Sequence, residues 1–205
     1  MIYDLTPAVT AALAVWPGDT PPTREVLLDM KRGDVLTLST LRATVHLGAH
    51  ADAPSHYGRD GRTIEGQPLD LYLGACRVIR ISSPRGTRVP PSAIPEDVGA
   101  ERLLIATGTY PYPTRFNEDF AALDPATVDL LHARGTKLVG IDTPSVDLFS
   151  DKQLLAHNRF LAHDMAILEG LQLSHVPEGE YELIALPLKL TGFDASPVRA
   201  VLRTT

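Results

Sequence analysis

Short runs of apolar and β-branched residues recur along this chain, and each run is flanked by Gly, Pro, Asp or Ser. Runs of about four to eight such residues between turn-forming residues are typical of β-strands. The pattern predicts strands at Arg77–Ile81, Arg102–Thr107, Lys137–Ile141, Met165–Leu168 and Tyr181–Leu186. A further strand pair, Glu25–Met30 and Val35–Thr44, is predicted on either side of a turn at Lys31–Asp34.

Two segments carry the signals of helices instead. Asp124 can cap the first, Pro125 suits its first turn and Gly135 suits its end, so Asp124–Gly135 is predicted to be a helix. The second is Asp151–His163, where Leu154, Leu155, Asn158 and Leu161 fall near one face. Many strands and few helices predict an α/β fold with a mixed β-sheet core.

Length and composition favour a single domain over residues 1–205. With 205 residues, of which 44% are hydrophobic, the chain can bury a substantial core. Its 17 prolines are spread out, and no repeat or low-complexity segment divides the sequence. Pro84–Pro95 is the most linker-like stretch, but strand-like sequence resumes on both sides, so we expect a surface loop within the domain.

The charge balance and the apolar segments exclude some partners. There are 19 basic and 25 acidic residues, a net charge of -6, so the chain lacks the basic excess that binds a phosphate backbone. No segment approaches the roughly 20 apolar residues of a membrane span, and the first residues lack the basic and apolar regions of a signal peptide. Cys76 is the only cysteine, which fits a reducing compartment. We therefore expect a cytoplasmic protein with no nucleic-acid or membrane partner.

Three of the seven histidines lie within eleven residues, at positions 46, 50 and 56, with Asp52 between them. An ideal helix, at about 100° per residue, would place His46 beside His50 but turn Asp52 and His56 away. A fully extended strand would put all four on one face but spread them over roughly 33 Å. The small residues at 48, 49, 51 and 53 instead favour a strand that breaks into a folded loop, where the imidazoles and the carboxylate converge.

Imidazoles that converge with a carboxylate, without thiolates, are typical of sites for Zn, Mn or Fe. A carboxylate is the usual bridge between two such ions, and Asp52 is the natural bridge here. Any one of these histidines alone would more often be a hydrogen-bonded loop or surface residue. The four residues together predict a metal site.

Two further candidate ligands lie later in the chain. Glu169 ends an apolar predicted strand just before Gly170, and strand ends in α/β folds often carry site residues. His157 lies in the second predicted helix, and spacing alone leaves His163 as an equal candidate. His132 and His175 are interpreted as structural or solvated residues.

Several segments distributed over nearly the whole chain match a known family pattern. They are Asp4–Pro7, Val15–Pro21, His46–His56, Pro68–Gly74, Gly140–Asp147 and Ala166–Gly170. Through them the chain resembles the bacterial kynurenine formamidases, within the wider group of metal-dependent hydrolases called the cyclase family. His-Leu-Gly-Ala-His-Ala-Asp-Ala-Pro identifies the wider family, whereas Trp-Pro-Gly-Asp and Asp-Thr-Pro-Ser-Val-Asp point to the formamidase branch.

The resemblance implies a role for each matching residue. One metal ion would be held by His46, His50, Asp52 and Glu169. A second would be held by Asp52, His157 and Glu169. Each subunit would then bind two divalent metal ions, with zinc as the expected metal and manganese as the alternative. His56 would donate and accept the proton, and Trp16 would lie against the substrate. The resemblance also implies a cyclase-like fold of the swivelling β/β/α type and a homodimer or larger even assembly.

Two positions depart from the family pattern. Asp151 stands where Ser would be expected before Lys152, and Asn158 stands where a second His often follows His157. Neither change removes a proposed ligand, but both bear on the surroundings of the second metal.

The reaction implied by the resemblance is hydrolysis of N-formyl-L-kynurenine to L-kynurenine and formate, a step of tryptophan degradation by the kynurenine pathway. A sister hydrolase that opens another amide or lactam would keep the metal site and change the pocket. A structural metal site is disfavoured because such sites are usually closed and rich in thiolates. A serine hydrolase at Ser145 or Ser55 would lack the Gly-x-Ser-x-Gly turn. For Trp16, ordinary core packing is the alternative to substrate binding.

Overall fold

A nine-stranded mixed sheet forms the centre of the molecule in a computed structural model that describes residues 1–204. The strands along the chain are β1 (Ile2–Asp4), β2 (Thr23–Leu28), β3 (Leu38–Arg42), β4 (His50–Asp52), β5 (Leu73–Arg80), β6 (Arg88–Val89), β7 (Arg102–Ala106), β8 (Ala122–Leu123), β9 (Leu138–Ile141), β10 (Ala166–Glu169), β11 (Gly179–Ile184), β12 (Ala195–Pro197) and β13 (Val201–Arg203). Two α-helices complete the described part of the chain, α1 (Pro125–Ala133) and α2 (Leu155–His163). The prediction of an α/β fold with a mixed sheet and few helices is confirmed.

The strand order in the main sheet is β1-β13-β11-β5-β7-β9-β10-β4-β12. Strands β5, β7, β9 and β10 run parallel, and antiparallel strands extend the sheet on both sides. Every residue of β7, β9 and β10 is buried, as expected for parallel strands covered on both faces. The apolar runs that predicted these strands therefore reflect two covered faces.

Two apolar clusters cover the two faces of the sheet. Leu103 and Ile105 of β7 pack with Val128 of α1 and Phe160 of α2 on one face. Leu104 and Ala106 alternate with them and belong to the cluster on the other face, which includes Leu5, Tyr72, Leu183 and Leu202. Helices α1 and α2 also contact each other, so one compact layer supports the strand ends that carry the site.

The first predicted helix has the expected capping, but the second begins later than predicted. Asp124 accepts a hydrogen bond from Ala126 N, and Pro125 is the first helical residue. Helix α2 begins at Leu155, and Leu154 before it has a φ of 53°. A left-handed residue cannot continue a right-handed helix. The predicted start at Asp151 was therefore wrong.

Several short strands escaped the sequence pattern. Three-residue strands such as β4 and β12 are too short to show periodicity, and they form because an edge of the existing sheet is available to them. Pro84–Pro95, predicted as a surface loop, contains β6, whose Val89 is fully buried. That prediction was wrong for Arg88–Val89, because pairing with β8 draws the segment into the core.

The predicted strand pair near the start of the chain forms a separate hairpin of β2 and β3, called the arm hereafter (residues 23–42). A short 3-10 helix at Met30–Arg32 makes the turn, with Asp29 accepting a hydrogen bond from Lys31 N. The arm lies wholly within the described residues, and none of its residues is buried. No helix in residues 1–204 has the length and apolar character needed to cross a membrane.

Candidate metal centre and adjoining cavity

Strand pairing brings His50, Asp52 and Glu169 onto one face of the sheet. His50 and Asp52 are two residues apart in β4, so their side chains project to the same side. In the antiparallel pairing of β4 with β10, Glu169 lies opposite His50. Side chains of directly opposed residues share a face, and all three side chains are buried.

A close crossing of two glycines folds the preceding loop over these residues. Gly48 has a φ of 57° and Gly170 a φ of 68°, and a Cβ on Gly170 would lie 2.1 Å from the carbonyl oxygen of Gly48. Only glycine fits such an approach. The crossing turns the chain so that His46 reaches the cluster, with its Nδ1 3.1 Å from Oδ1 of Asp52. The predicted strand that breaks into a folded loop is present, with the loop before β4 and a 3-10 helix at Pro54–His56 after it.

Helix α2 supplies the third imidazole of the cluster. Nε2 of His157 lies 3.5 Å from Oδ2 of Asp52 and 3.7 Å from Oε1 of Glu169. Nε2 of His50 lies 3.4 Å from Oδ1 of Asp52 and 3.3 Å from Oε2 of Glu169. Asp52 therefore stands between the histidines, with His46 and His50 near one oxygen and His157 near the other.

The donor atoms of this cluster have the arrangement that a cation requires. Nε2 of His50, Nε2 of His157 and both carboxylate oxygens of Asp52 are buried and have no hydrogen-bond partner among residues 1–204. Buried polar atoms without partners are costly unless another group satisfies them. Imidazole nitrogens and carboxylate oxygens are the ligands that divalent zinc and manganese accept. The residues present fit a metal ion.

Two overlapping groups of ligand atoms can be drawn within the cluster. In each, one atom from each residue lies within 4.8 Å of the others, and the groups are His50, Asp52 and Glu169, and His46, Asp52 and His56. Asp52 belongs to both groups, which is the position expected for a bridging carboxylate. The second group contains His56, so the geometry leaves room for His56 as a ligand as well as a proton carrier.

The electrostatics of the cluster also favour a cation. Burial by itself would lower the pKa of His50, but the carboxylates of Asp52 and Glu169 outweigh it and raise the pKa to about 10. Burial would raise the pKa of Asp52, but the three neighbouring histidines hold it well below its ordinary value. The carboxylates therefore create a strongly negative potential, and positive charge concentrates on their neighbours.

Residues outside the cluster fix the orientation of its ligands. Asp147 accepts hydrogen bonds from Nδ1 of His157 at 2.8 Å and from the backbone N of Ala156 and of His157. Arg88 donates to the other oxygen of Asp147 at 2.7 Å. These donors outweigh burial and keep the pKa of Asp147 below its ordinary value. Sequence reasoning quoted Asp147 only as part of a motif, and no local signal indicated that it would contact His157.

Asp194 is another residue that sequence reasoning missed. Its Oδ2 lies 3.2 Å from Nε2 of His46 and 3.2 Å from Nδ1 of His56, and the two imidazole rings are 4.2 Å apart. His56 is half-exposed at the edge of the cluster. Asp194 immediately precedes β12, which pairs with β4, so sheet formation rather than a sequence motif brings it to the histidines.

A cavity of about 520 Å³ opens beside the cluster. His46, His50, His56, His157 and Glu169 line one part of it, and Trp16, Tyr110 and Phe116 line another. The ring of Trp16 lies 5.0 Å from that of Phe149 and 5.5 Å from that of Phe116. Asp19 also lines the cavity, whereas no Lys or Arg does so among residues 1–204. The cavity therefore joins a polar cluster to an aromatic wall.

The Cyclase family model matches residues 3–148 of the chain. The chain belongs to the Cyclase family. The matched region contains His46, His50, Asp52 and His56, and it ends before His157 and Glu169.

Solved structures of the same fold cover almost the whole chain. A potential metal-dependent hydrolase with cyclase activity is 27% identical with a TM-score of 0.86, covering 98% of this chain and 96% of its own. A predicted metal-dependent hydrolase from Bacillus stearothermophilus is 27% identical with a TM-score of 0.83, covering 98% and 97%. An isatin hydrolase bound to the product analogue thioisatinate is 18% identical with a TM-score of 0.85, covering 98% and 91%. The cyclase-like fold is confirmed.

The structure decides between His157 and His163, which spacing in this Cyclase-family sequence left as equal candidates for a metal ligand. Nε2 of His163 lies 2.7 Å from Asp129, and its ring stacks on His132 at 4.0 Å on the outer side of α1 and α2. His157, one turn and a half earlier, faces Asp52 and Glu169 instead. Only His157 of this pair joins the cluster.

The two departures from the family pattern lie outside the ligand cluster. Asp151 pairs with Arg88 and accepts hydrogen bonds from the backbone N of Gln153 and of Leu155, which holds the turn before α2. Asn158 donates to the carbonyl oxygen of Gln153 at 2.8 Å. Both residues thus stabilise the start of α2, the helix that carries His157.

Proposed function

We propose that this Cyclase-family protein is a metal-dependent hydrolase that cleaves N-formyl-L-kynurenine to L-kynurenine and formate. The observation that carries the proposal is the buried, unpartnered His/Asp/Glu cluster opening into a cavity with an aromatic wall. A hydrolase for an aryl formamide needs both the cluster and the aromatic wall. The formyl carbon must lie at the cluster, where the reaction occurs, while the aromatic ring of the substrate packs against the wall.

The proposed metal ligands are His46, His50, Asp52 and Glu169 for one ion, and Asp52, His157 and Glu169 for a second. The structure supports this set through the positions of the unpartnered atoms around Asp52. When bound, divalent zinc or manganese would supply Lewis acidity that polarises the formyl oxygen and activates water for attack. The Val146 backbone N, which donates to Oε1 of Glu169 at 2.7 Å, holds that carboxylate toward the cluster.

His56 is proposed to move the proton. Expulsion of an aryl amine requires protonation of its nitrogen as the carbon–nitrogen bond breaks, and an imidazole is suited to take a proton from water and return it there. His56 lines the cavity beside His46 and remains half-exposed, so it can meet both substrate and solvent. The same residue could instead bind a metal, and metal content of a His56 variant separates the two roles.

The cavity lining supports an aromatic substrate. Trp16 is held by Phe116, Phe120 and Phe149, which leaves a rigid apolar surface for a ring. Asp19 lies among the lining residues and can pair with the ammonium group of an amino-acid substrate. No lining Lys or Arg within the described residues offers a partner for the carboxylate of that substrate.

The same lining gives a second candidate, which is hydrolysis of a neutral aromatic lactam. An isatin hydrolase shares the fold, and a neutral bicyclic ring would need no cationic partner in the cavity. Asp19 favours a substrate with an ammonium group. The lack of a lining Lys or Arg among residues 1–204 favours a neutral substrate. Direct comparison of the two substrates decides between them.

The test measures hydrolysis of N-formyl-L-kynurenine and of isatin by the purified protein before chelation, after chelation, and after addition of zinc or manganese. Metal content is determined on the same samples. We expect cleavage of formylkynurenine to disappear with the metal and to return with it. Faster cleavage of isatin would favour the second candidate, and full activity of metal-free protein would overturn both.

We also propose that the protein forms a homodimer through the arm. Its exposed apolar side chains are Leu27, Leu28, Met30, Val35, Leu36, Leu38 and Leu41. Together they expose on the order of 800 Å², which is about what each partner buries in a standard interface. The arm carries four basic residues and three acidic ones, so two copies would not repel each other there despite a net charge of -6 on the chain. An isolated two-stranded hairpin is marginal in water, and a second copy would cover it.

A further inference from the structure

We propose that Asp194 is a positioning residue that fixes the tautomer and ring orientation of both His46 and His56. This inference rests on the proposed function, in which His46 binds a metal and His56 moves the proton. It adds a residue that acts on the reaction through these two histidines without being a ligand or the proton carrier.

One carboxylate oxygen makes both contacts. Oδ2 of Asp194 lies 3.2 Å from Nε2 of His46 and 3.2 Å from Nδ1 of His56. A carboxylate can only accept hydrogen bonds, and with an ordinary pKa of about 3.9 it is ionised at neutral pH. Each of the two ring nitrogens must therefore carry a hydrogen and donate it to Asp194.

The two donated hydrogens decide what the remaining nitrogens do. With Nε2 of His46 donating to Asp194, its Nδ1 is the nitrogen that faces Oδ1 of Asp52 at 3.1 Å. That nitrogen can then offer its lone pair to a metal in the cluster. With Nδ1 of His56 donating, its Nε2 is left to exchange a proton with water or substrate. A single oxygen thus assigns one histidine to the metal and the other to proton transfer.

The backbone around Asp194 is anchored well enough to hold this position. Its carbonyl oxygen accepts the backbone N–H of Ala53 at 2.9 Å, and the next residue, Ala195, pairs with Asp52 across β12 and β4. The carbonyl of Phe193 accepts the N–H of Ile64 at 2.9 Å. The side chain itself is about half-exposed, at 47%, so solvent screens its charge and its hydrogen bonds provide the main effect.

The test compares Asp194→Asn with Asp194→Glu and with a matched control, Glu65→Gln. Asn keeps the size of the side chain but loses the charge and replaces one acceptor oxygen with a donor. The remaining amide oxygen accepts more weakly than a carboxylate, and the two rings lose their acceptor whenever the amide turns its NH2 group toward them. Glu keeps the acceptors on a longer side chain. Glu65 accepts a hydrogen bond from the backbone N of Gly192 at 3.0 Å, so its variant perturbs the same loop without touching His46 or His56.

The first readout is the tautomer of His56, from side-chain ¹⁵N chemical shifts of purified, zinc-loaded protein labelled in histidine. The His56→Ala variant identifies the resonance. We expect the form protonated at Nδ1 in the wild type and in Glu65→Gln, and a mixture of tautomers in Asp194→Asn. This readout needs no substrate, so it stands even if the proposed reaction is wrong. An unchanged Nδ1–H tautomer in Asp194→Asn would overturn the proposal.

The second readout is kinetic, with formylkynurenine as the substrate. We expect Asp194→Asn to lower kcat by about 10- to 100-fold, the usual effect of losing a residue that orients a site histidine. KM should change little, Asp194→Glu should recover part of the rate, and Glu65→Gln should remain near wild type. An equal loss in Glu65→Gln would show that the loop matters only structurally and would overturn the assignment. The two proposals can also fail separately. If Asp194→Asn loses the Nδ1–H tautomer of His56 but the wild-type protein does not cleave formylkynurenine, the proposed substrate is wrong and the role of Asp194 stands.

Discussion

The Asp147 carboxylate holds the His157 imidazole by a 2.8 Å hydrogen bond to Nδ1, and the same oxygen accepts the backbone N–H of His157 at 3.0 Å. Because an ionised carboxylate only accepts, Nδ1 of His157 must carry the hydrogen. Nε2 is then the free nitrogen, and it is the atom that faces Asp52. Arg88 in turn holds Asp147, so two residues outside the cluster orient one proposed ligand.

Asp147→Asn should weaken metal binding by about 10- to 100-fold, the usual cost of removing the partner of a ligating histidine. An amide at this position would turn a donor toward Arg88 or toward the backbone N–H groups of α2. Asp151→Asn is the control, because Asp151 is the other carboxylate bound by Arg88 and does not contact His157. The affinity for zinc is measured by titrating zinc into protein from which a chelator has removed the metal. Equal weakening by both variants would mean that Arg88, rather than the bond to His157, sets the effect.

Replacement of Asp52 or His56 by alanine should have different effects on metal content and kcat. Asp52→Ala removes the oxygens shared by both ligand groups, so bound metal and activity should fall together. His56→Ala should keep the metal content near that of the wild type and lower kcat by about 10²- to 10⁴-fold, the range for loss of a general acid/base. Substrates with more acidic leaving amines should lose less rate, since they need less protonation. A metal lost from His56→Ala would make His56 a ligand.

Trp16→Ala should raise KM for an aromatic substrate by roughly tenfold, a loss of about 1.4 kcal/mol of binding free energy. The substrate would lose a ring surface that the neighbouring phenylalanines hold in place. Metal content should stay constant, because Trp16 packs against Phe116, Phe120 and Phe149 and is not one of the proposed ligands. Tyr112→Ala is a suitable control, since Tyr112 is exposed and does not line the cavity. Metal loss in Trp16→Ala would assign it a structural role.

Gly170→Ala should disrupt the cluster, whereas Gly108→Ala should be tolerated. Both glycines have a φ of 68°, so both variants bear the cost of a left-handed alanine, about 1–2 kcal/mol. A Cβ at Gly170 would also lie 2.1 Å from the Gly48 carbonyl, whereas nothing lies within 4 Å at Gly108. Thermal unfolding and zinc content measure the difference. Similar unfolding temperatures and full zinc binding in both variants would show that the crossing at Gly48 relaxes easily.

Leu38→Asp in the arm should convert a dimer to a monomer. Leu38 is 48% exposed and belongs to a hairpin without a buried residue in the described structure, so the fold of each subunit should not depend on it. Leu69→Asp is the control, because Leu69 is 58% exposed and lies outside the arm. This variant should remain dimeric. Light scattering after size-exclusion chromatography gives the mass. A wild-type protein that is monomeric at micromolar concentration would contradict the proposed interface.

The sequence by itself determined the central strands, the capped helix α1 and the composition of the cluster. Apolar runs such as Leu103–Ile105 are long enough to show that both faces of a strand are covered. Asp124, Pro125 and Gly135 mark the ends of α1 through local bonds that need no distant partner. His46, His50, Asp52 and His56 lie close together in the chain, so the type of donor atom was evident from their identities.

Tertiary structure decided which residues complete and aim the site. Glu169 meets His50 through pairing of β10 with β4, and His157 rather than His163 faces Asp52 because of how α2 packs on the sheet. Asp194 lies 148 residues from His46, and Asp147 reaches His157 only across the turn that Leu154 makes. Contacts of this kind depend on sheet register and helix packing. A sequence pattern records the local period of a segment and carries no information on which distant segment will lie beside it.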